Sequence, residues 1–169
     1  MSALAVLLPD LDRHVARWRR VHDPSGRVGV PAHVTVLVPF VPPARLGRDV
    51  KTALRDLFAT RPAFDVTFRR TARFPNALWL PPEPHDGFVS LTKAVVARWP
   101  EHPPYEGAYA EVIPHATIAY DLTEEEFGAV EAQLPPLLPL AARASEVSLL
   151  CGSNAHGWRV VEAFPLGSV

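Results

Sequence analysis

Hydrophobic positions along this chain switch repeatedly between two periods, and the switches mark out its elements. Ala3 to Leu8 is a short continuous apolar run and reads as a buried strand. From Asp10 or Asp12, placed as caps, a helix runs to about His22 with Leu11, Val15, Trp18 and Val21 on one face. His33 to Phe40 is extended, and Arg45 to Thr60 is helical, with Leu46, Val50, Leu54, Leu57 and Phe58 forming its apolar stripe. Phe64, Val66 and Phe68 alternate with Asp65, Thr67 and Arg69, the signature of a half-buried strand. Ala77 to Leu80 is a second short strand, stopped by Pro81-Pro82. Helical spacing returns over Phe88 to Trp99, and Glu111 to Tyr120 is extended again. Thr123 with Glu126 has the capping-box spacing for a helix to about Leu134. Ala144 to Leu150 and Trp158 to Phe164 flank a Cys-Gly-Ser-Asn-Ala-His-Gly loop and read as a hairpin.

The resulting order, β-α-β-α-β-β-α-β-α-β-β, predicts an α+β fold with antiparallel sheets and helices packed outside. At 169 residues the chain has ample length for one core. The 19 prolines are spread between the periodic segments and act as loop boundaries. The net charge of −1 supplies no basic stripe for a long nucleic-acid footprint, while a short ligand with one or two phosphates remains compatible. One cysteine, Cys151, builds no disulfide framework, and no Cys/His spacing suits zinc. No apolar stretch is long enough to cross a membrane, and the N-terminal run lacks a basic flank. A cytoplasmic protein is the expectation.

Chemistry concentrates in two of the strands. His33-Val34-Thr35-Val36-Leu37 and His115-Ala116-Thr117-Ile118-Ala119 each carry a histidine two residues before a threonine. In a strand, positions i and i+2 share a face and lie about 7 Å apart. Each segment therefore presents an imidazole beside a hydroxyl, with Val34 and Val36, or Ala116 and Ile118, turned the other way. A single such triplet is commonplace. The repeat in opposite halves of a short chain suggests matched sites that meet in space. Two imidazoles can act as base and acid near neutrality, and two hydroxyls can donate to phosphoryl oxygens. That set suffices to cleave a phosphodiester without a metal. The remaining histidines, His14, His22, His85, His102 and His156, lack a threonine at +2 and are expected at the surface.

These motifs resemble the 2H phosphoesterase superfamily, also called the 2′-5′ RNA ligase or cyclic phosphodiesterase family, which is defined by two His-x-Thr/Ser-x-hydrophobic segments. The stretch from Gly29 to Phe40 is similar to one bacterial branch of that family. After the first motif the chain reads Val38-Pro39-Phe40, where the tRNA-ligase-type branch has a Leu-Gly turn. The resemblance implies a bilobal α+β domain over 1–169, with two antiparallel sheets and outer helices around a central cleft. It implies His33 and His115 as catalytic residues and Thr35 and Thr117 as phosphate-oxygen donors. The activity expected is metal-independent opening of 2′,3′-cyclic phosphates, or cleavage of short 2′-5′ linkages, on a nucleotide or short RNA end, without a cofactor and by a monomer. The alternative is a non-catalytic nucleotide or RNA-end binding module on the same scaffold. A two-histidine metal site ranks last, because carboxylate or cysteine partners at ligand spacing are missing.

Weaker candidates surround the second motif. Tyr105 and Tyr109, in a Pro/Gly-rich loop ahead of it, are candidates to stack on a base. Arg73, Phe74 and Trp79 are candidates for the cleft wall, with Trp79 better suited to the core. Lys93, Arg98 and Arg159 read as solvated charges.

Overall fold

The computed structural model describes residues 1–167. Its elements run β1 (Ser2–Leu7), α1 (Pro9–His22), α2 (Pro24–Arg27), β2 (His33–Leu37), α3 (Arg48–Ala59), β3 (Phe64–Phe68), β4 (Ala72–Phe74), β5 (Ala77–Leu80), β6 (Pro82–Glu83), α4 (Asp86–Arg98), β7 (Ala116–Tyr120), α5 (Glu124–Glu131), β8 (Leu140–Ala144), β9 (Glu146–Ser153) and β10 (Gly157–Pro165), with single 3-10 turns at Pro43–Arg45, Pro104–Gly107 and Pro135–Leu137.

Strands from the two ends of the chain build one four-stranded antiparallel sheet in the order β10-β9-β1-β2. Strands from the middle form two three-stranded antiparallel ladders, β6-β3-β8 and β4-β5-β7. Pro81 lies where the chain leaves β5 and enters β6, so the strand passes from one ladder to the other at the proline pair. Proline cannot donate to a ladder, and edge strands or strand ends are where a sheet tolerates it.

Helices cover these sheets crosswise. Helix α1 follows β1 yet packs on β7 and β8, whereas α3 packs on β10 and α4 on β2. A continuous apolar core joins them, from Leu4, Val6, Val34 and Val36 of the first sheet through Phe58 and Phe88 to Leu78, Ile118 and Phe127. Helix α1 begins with Pro9 in its first turn, acidic Asp10 and Asp12 there, and basic Arg19, Arg20 and His22 in its last turn, an arrangement that suits the helix dipole. The residue before it, Leu8, makes no side-chain cap, so neither Asp10 nor Asp12 caps the helix as the sequence suggested. Helix α5 does carry the expected capping box between Thr123 and Glu126.

Three further expectations need correction. The apolar face of α1 does not include Val21, which is 57% exposed; Arg19 takes the buried place, one turn on from Val15. The extended segment at Glu111–Tyr120 is a loop until Ala116. The segment read as one strand from Ala144 to Leu150 is the junction of two: β8 ends at Ala144 in the β6-β3-β8 ladder and β9 begins at Glu146 in the four-stranded sheet. Among the described residues no helix is long and apolar enough to span a membrane.

Candidate functional site

In both motifs the exposure alternates as the strand period demands. His33 and Thr35 are half-buried between buried Val34 and Val36, and His115 and Thr117 are half-buried around buried Ala116 and Ile118. On the first side, His33 and Thr35 stand inside β2, paired across β1 with Leu7 and Ala5. On the second, Thr117 lies in β7 opposite Trp79 of β5, while His115 directly precedes the strand.

The two rings share one hydrogen-bonding arrangement. His33 Nδ1 lies 2.8 Å from the carbonyl oxygen of Pro31, and His115 Nδ1 lies 2.7 Å from that of Ile113. A carbonyl only accepts, so each Nδ1 carries the hydrogen and the neutral ring leaves the Nε2 lone pair for another partner. Each backbone therefore sets the tautomer of its own histidine through the residue two positions earlier.

Burial lowers the pKa of both rings. For His33 it is the largest cause, with repulsion by the Arg19 guanidinium next, and together they bring the value to about 4 against a partial opposing pull from the Pro31 carbonyl and Asp23. A charge on His115 also disfavours a charge on His33, so the two imidazoles feel one another. His115 is lowered by burial, offset in part by its bond to Ile113.

One side chain ties the two motifs together. Arg19 on α1 is 1% exposed. Its Nε donates to the Thr117 carbonyl (3.1 Å) and to Asp23 Oδ2 (3.0 Å). Its terminal nitrogens donate to the Val30 carbonyl (2.8 Å), Asp12 Oδ1 (3.4 Å), Asp23 Oδ2 (2.6 Å) and Ser25 Oγ (3.0 Å). Asp12 Oδ1 in turn accepts from the Ala32 N–H at 2.7 Å. The segment Val30–Ala32 leading into His33, and the backbone of Thr117, are thus fastened to one guanidinium. Its planar fork of five donors fits this task where a lysine would not. A basic residue at a stripe position of an amphipathic helix, with Asp12 and Asp23 seven before and four after it, is the signal that would have revealed it in the sequence.

The second motif has apolar neighbours. Phe74 meets His115 edge-on at 5.2 Å, Trp79 does so at 5.9 Å, and Phe74 and Trp79 are stacked at 4.6 Å. Trp79 is therefore both a core residue and a wall beside His115. Arg73 is committed elsewhere, to Glu131 at 2.7 Å and Glu124 at 2.9 Å.

Tyr105 and Tyr109 contact each other edge to face at 5.4 Å, and the Tyr105 N–H donates to the Val38 carbonyl at 2.6 Å. Their loop is fastened to the end of the His33 strand, although it leads to the His115 strand. Neither tyrosine meets a motif histidine ring-to-ring, as Phe74 and Trp79 do. Of the other histidines, His14, His85 and His156 are exposed as expected, but His22 is half-buried, and His102 is half-buried with its ring centroid 6.1 Å from that of Phe40. Lys93, Arg98 and Arg159 are exposed. Among the described residues no three His, Cys, Asp or Glu side chains cluster as a metal site would require.

A mixed α/β protein with antiparallel sheets that presents a His-x-Thr pair from each half is a class recognisable in comparison. The model of the 2′-5′ RNA ligase superfamily matches residues 7–154, and the chain belongs to that family. The family places its chemistry among phosphodiester reactions, cleavage or joining. The fold is similar to a Thermus thermophilus protein, TT0787, with a TM-score of 0.69 at 21% identity over 99% of this chain and 98% of that one. It is also similar to E. coli LigT complexed with 3′-AMP, with a TM-score of 0.61 at 19% identity over 98% and 97%. A third likeness is to LigT complexed with ATP, with a TM-score of 0.59 at 19% identity over 99% and 97%. No curated protein sequence matches the chain.

Proposed function

We propose that this protein is a metal-independent phosphodiesterase that opens 2′,3′-cyclic phosphates, or cleaves short 2′-5′ linkages, on nucleotides or RNA ends, with residues 1–169 working as one two-lobed unit. The observation that carries the reading is the matched pair of Nδ1–carbonyl bonds, which frees both Nε2 atoms for proton transfer. A module that only held phosphate would need donors at both positions, not two tautomers fixed to leave a lone pair outward. That LigT has been obtained with 3′-AMP and with ATP agrees with a nucleotide as ligand here.

The reaction runs as an in-line displacement. Water attacks phosphorus and gives its proton to His115 Nε2; the bond from phosphorus to one ribose oxygen breaks, and His33 Nε2–H protonates that oxygen. The resemblance to the family favours this division of roles, and the near-symmetric motifs let it invert with substrate orientation. Thr35 and Thr117 donate to the non-bridging oxygens as charge builds on them. Tyr105 and Tyr109 serve as outlying contacts to the nucleoside. In the free protein His33 is neutral at pH 7, since its pKa is about 4. A bound phosphodiester anion favours the imidazolium, so the substrate itself raises the share of the pair that carries the proton to be donated.

The direct test is hydrolysis of a panel of 2′,3′-cyclic nucleotides and 2′-5′ dinucleotides with chelator present. Turnover that persists in EDTA supports the proposal. Turnover lost on chelation and restored by a divalent ion replaces it with the metal reading. Binding without any turnover leaves the binding module.

A further inference from the structure

Beside His33 and Thr35 the first sheet leaves a cavity of about 250 Å³. Its walls include Ala3, Ala5, Val30, Leu150 and Trp158, with Asn154 at its rim. Neither His115 nor Thr117 lines it. We infer that this cavity is a nucleobase subsite whose stacking platform is Trp158, and that it places the nucleoside on the His33 side of the phosphate. The inference rests on the phosphodiesterase reading above and adds to it the group that the phosphate carries.

Four features support it. First, the space is small. Pockets for drug-sized ligands run to ~300–1,000 Å³, so this one holds a single ring system rather than a dinucleotide. Second, its floor is apolar: Ala5, Val30 and Leu150 form a cluster separate from the main core, with Trp158 packed against it. Third, the indole is held in place. Trp158 Nε1 donates to Asn154 Oδ1 at 2.8 Å, which fixes the ring and leaves the Asn154 amide nitrogen as a donor at the rim. Trp158 is nevertheless half-buried rather than covered.

The fourth feature is the register that brings it there. Trp158 pairs with Gly152 across β9 and β10, and Leu150 pairs with Ala3 across β9 and β1. A side chain at Gly152 would come within 2.1 Å of the Gly157 carbonyl oxygen and 2.8 Å of Trp158 Cα, and its φ of +151° also disfavours other residues. The hairpin can therefore approach closely only with glycine there, and that approach holds Trp158 at the far wall of the cavity, across β9 and β1 from the motif strand. Bases stack on aromatic faces regardless of identity, so the subsite recognises a base without selecting one. In an in-line displacement the nucleoside lies on the leaving side, which agrees with His33 as the proton donor.

The test uses the whole chain and reads binding apart from turnover. Calorimetry compares adenosine 2′-monophosphate with methyl riboside 2-phosphate, the same phosphate without a base, on wild type, Trp158→Ala, Trp158→Phe and Ala3→Leu. Wild type should prefer the nucleotide by about 5- to 150-fold, the range that stacking of one base supplies. Trp158→Ala and Ala3→Leu, which fills the cavity from its wall, should erase the preference, and Trp158→Phe should keep most of it. Equal affinity for both ligands in wild type overturns the inference. So does a preference that survives Trp158→Ala and Ala3→Leu, because the base then lies elsewhere. Hydrolysis of 2′,3′-cyclic AMP, measured in parallel, separates the two ideas. A Trp158-dependent preference without hydrolysis removes the enzyme and keeps the subsite, and hydrolysis without the preference does the opposite.

Discussion

The two motif strands carry the same residues and the same Nδ1–carbonyl bond, yet they sit in opposite surroundings. His33 opens an edge strand, within the field of a buried guanidinium and of Asp23, and lines a cavity. His115 stands at the end of a loop, between the edges of Phe74 and Trp79. A pair of titrating groups divides into acid and base when its environments differ, and here the difference is electrostatic on one side and apolar on the other. The internal repeat presents the same imidazole and hydroxyl twice, and the flanking elements make the copies unequal.

Removing either ring should have the largest effect on rate. His33→Ala and His115→Ala should each cost turnover about 10²–10⁴-fold, the usual contribution of a placed proton-transfer group. Thr35→Ala and Thr117→Ala should cost less than the ~10²–10³-fold of an isolated oxyanion donor, because the twin hydroxyl remains. Single-turnover rates on a cyclic nucleotide check both. A histidine variant that keeps most activity would mean the pair does not act as a pair.

Arg19 comes next, and it separates charge from geometry. Arg19→Met leaves Asp23 buried without its partner, and breaking a buried pair in this way costs about 3–5 kcal/mol in denaturant unfolding. It also removes a charge that lowers the His33 pKa, so the acid limb of kcat/KM should move to higher pH. Arg19→Lys keeps the charge but not the fork, so stability should fall while the acid limb stays nearer its original place. If both variants leave the pH profile and the melting curve unchanged, the two motifs are not held by this residue.

The pH dependence of the wild type follows from the same contrast. His33 is lowered to about 4 and His115 is lowered from 6.5, so in the free protein the state with one charged ring is most populated on the acid side of neutrality. The optimum of kcat/KM should lie there, and that of kcat should lie higher, since bound phosphate favours the imidazolium. Stability should move the other way. Unfolding raises the His33 pKa from about 4 to 6.5, so the unfolded chain binds the extra proton between those values and stability falls as pH drops through them. Paired kinetic and melting profiles from pH 4 to 8 test both signs.

How much of this was legible in the sequence depended on the range of the contact involved. The burial alternation around His33 and His115 was readable because it is a property of three consecutive residues. The capping box at Thr123 was readable for the same reason. The division at Ser145 was not, since no glycine or proline interrupts the stretch from Leu140 to Leu150 and only pairing with β3 on one side and β1 on the other splits it. Arg19 was hidden because a charge in an apolar stripe reads as a defect until Asp12, Asp23 and the two carbonyls around it are seen. Trp158 was hidden because its nearness to His33 passes through three strand registers, β10 on β9, β9 on β1 and β1 on β2.

The smallest expected effect lies where the two sides meet, in the loop that carries Tyr105 and Tyr109. The loop precedes the His115 strand but is fastened to Val38 at the end of the His33 strand. Tyr109 is 65% exposed, with an edge contact to Tyr105 as its aromatic neighbour. Tyr109→Ala should therefore raise KM by no more than about threefold and leave kcat alone, since an exposed ring held on one edge contributes little more than a weak surface contact. Tyr105→Ala should act more strongly, because its ring is half-buried where that of Tyr109 is exposed, so its loss removes more contact from the loop. Both effects should be larger for a 2′-5′ dinucleotide than for a cyclic mononucleotide, if the loop reaches a second nucleoside while Trp158 takes the first. Equal effects on the two substrates would instead assign the tyrosines to the same base as Trp158. The cavity beside His33 would then extend under the loop, and the asymmetry between the two motifs would be larger than the sheet alone makes it.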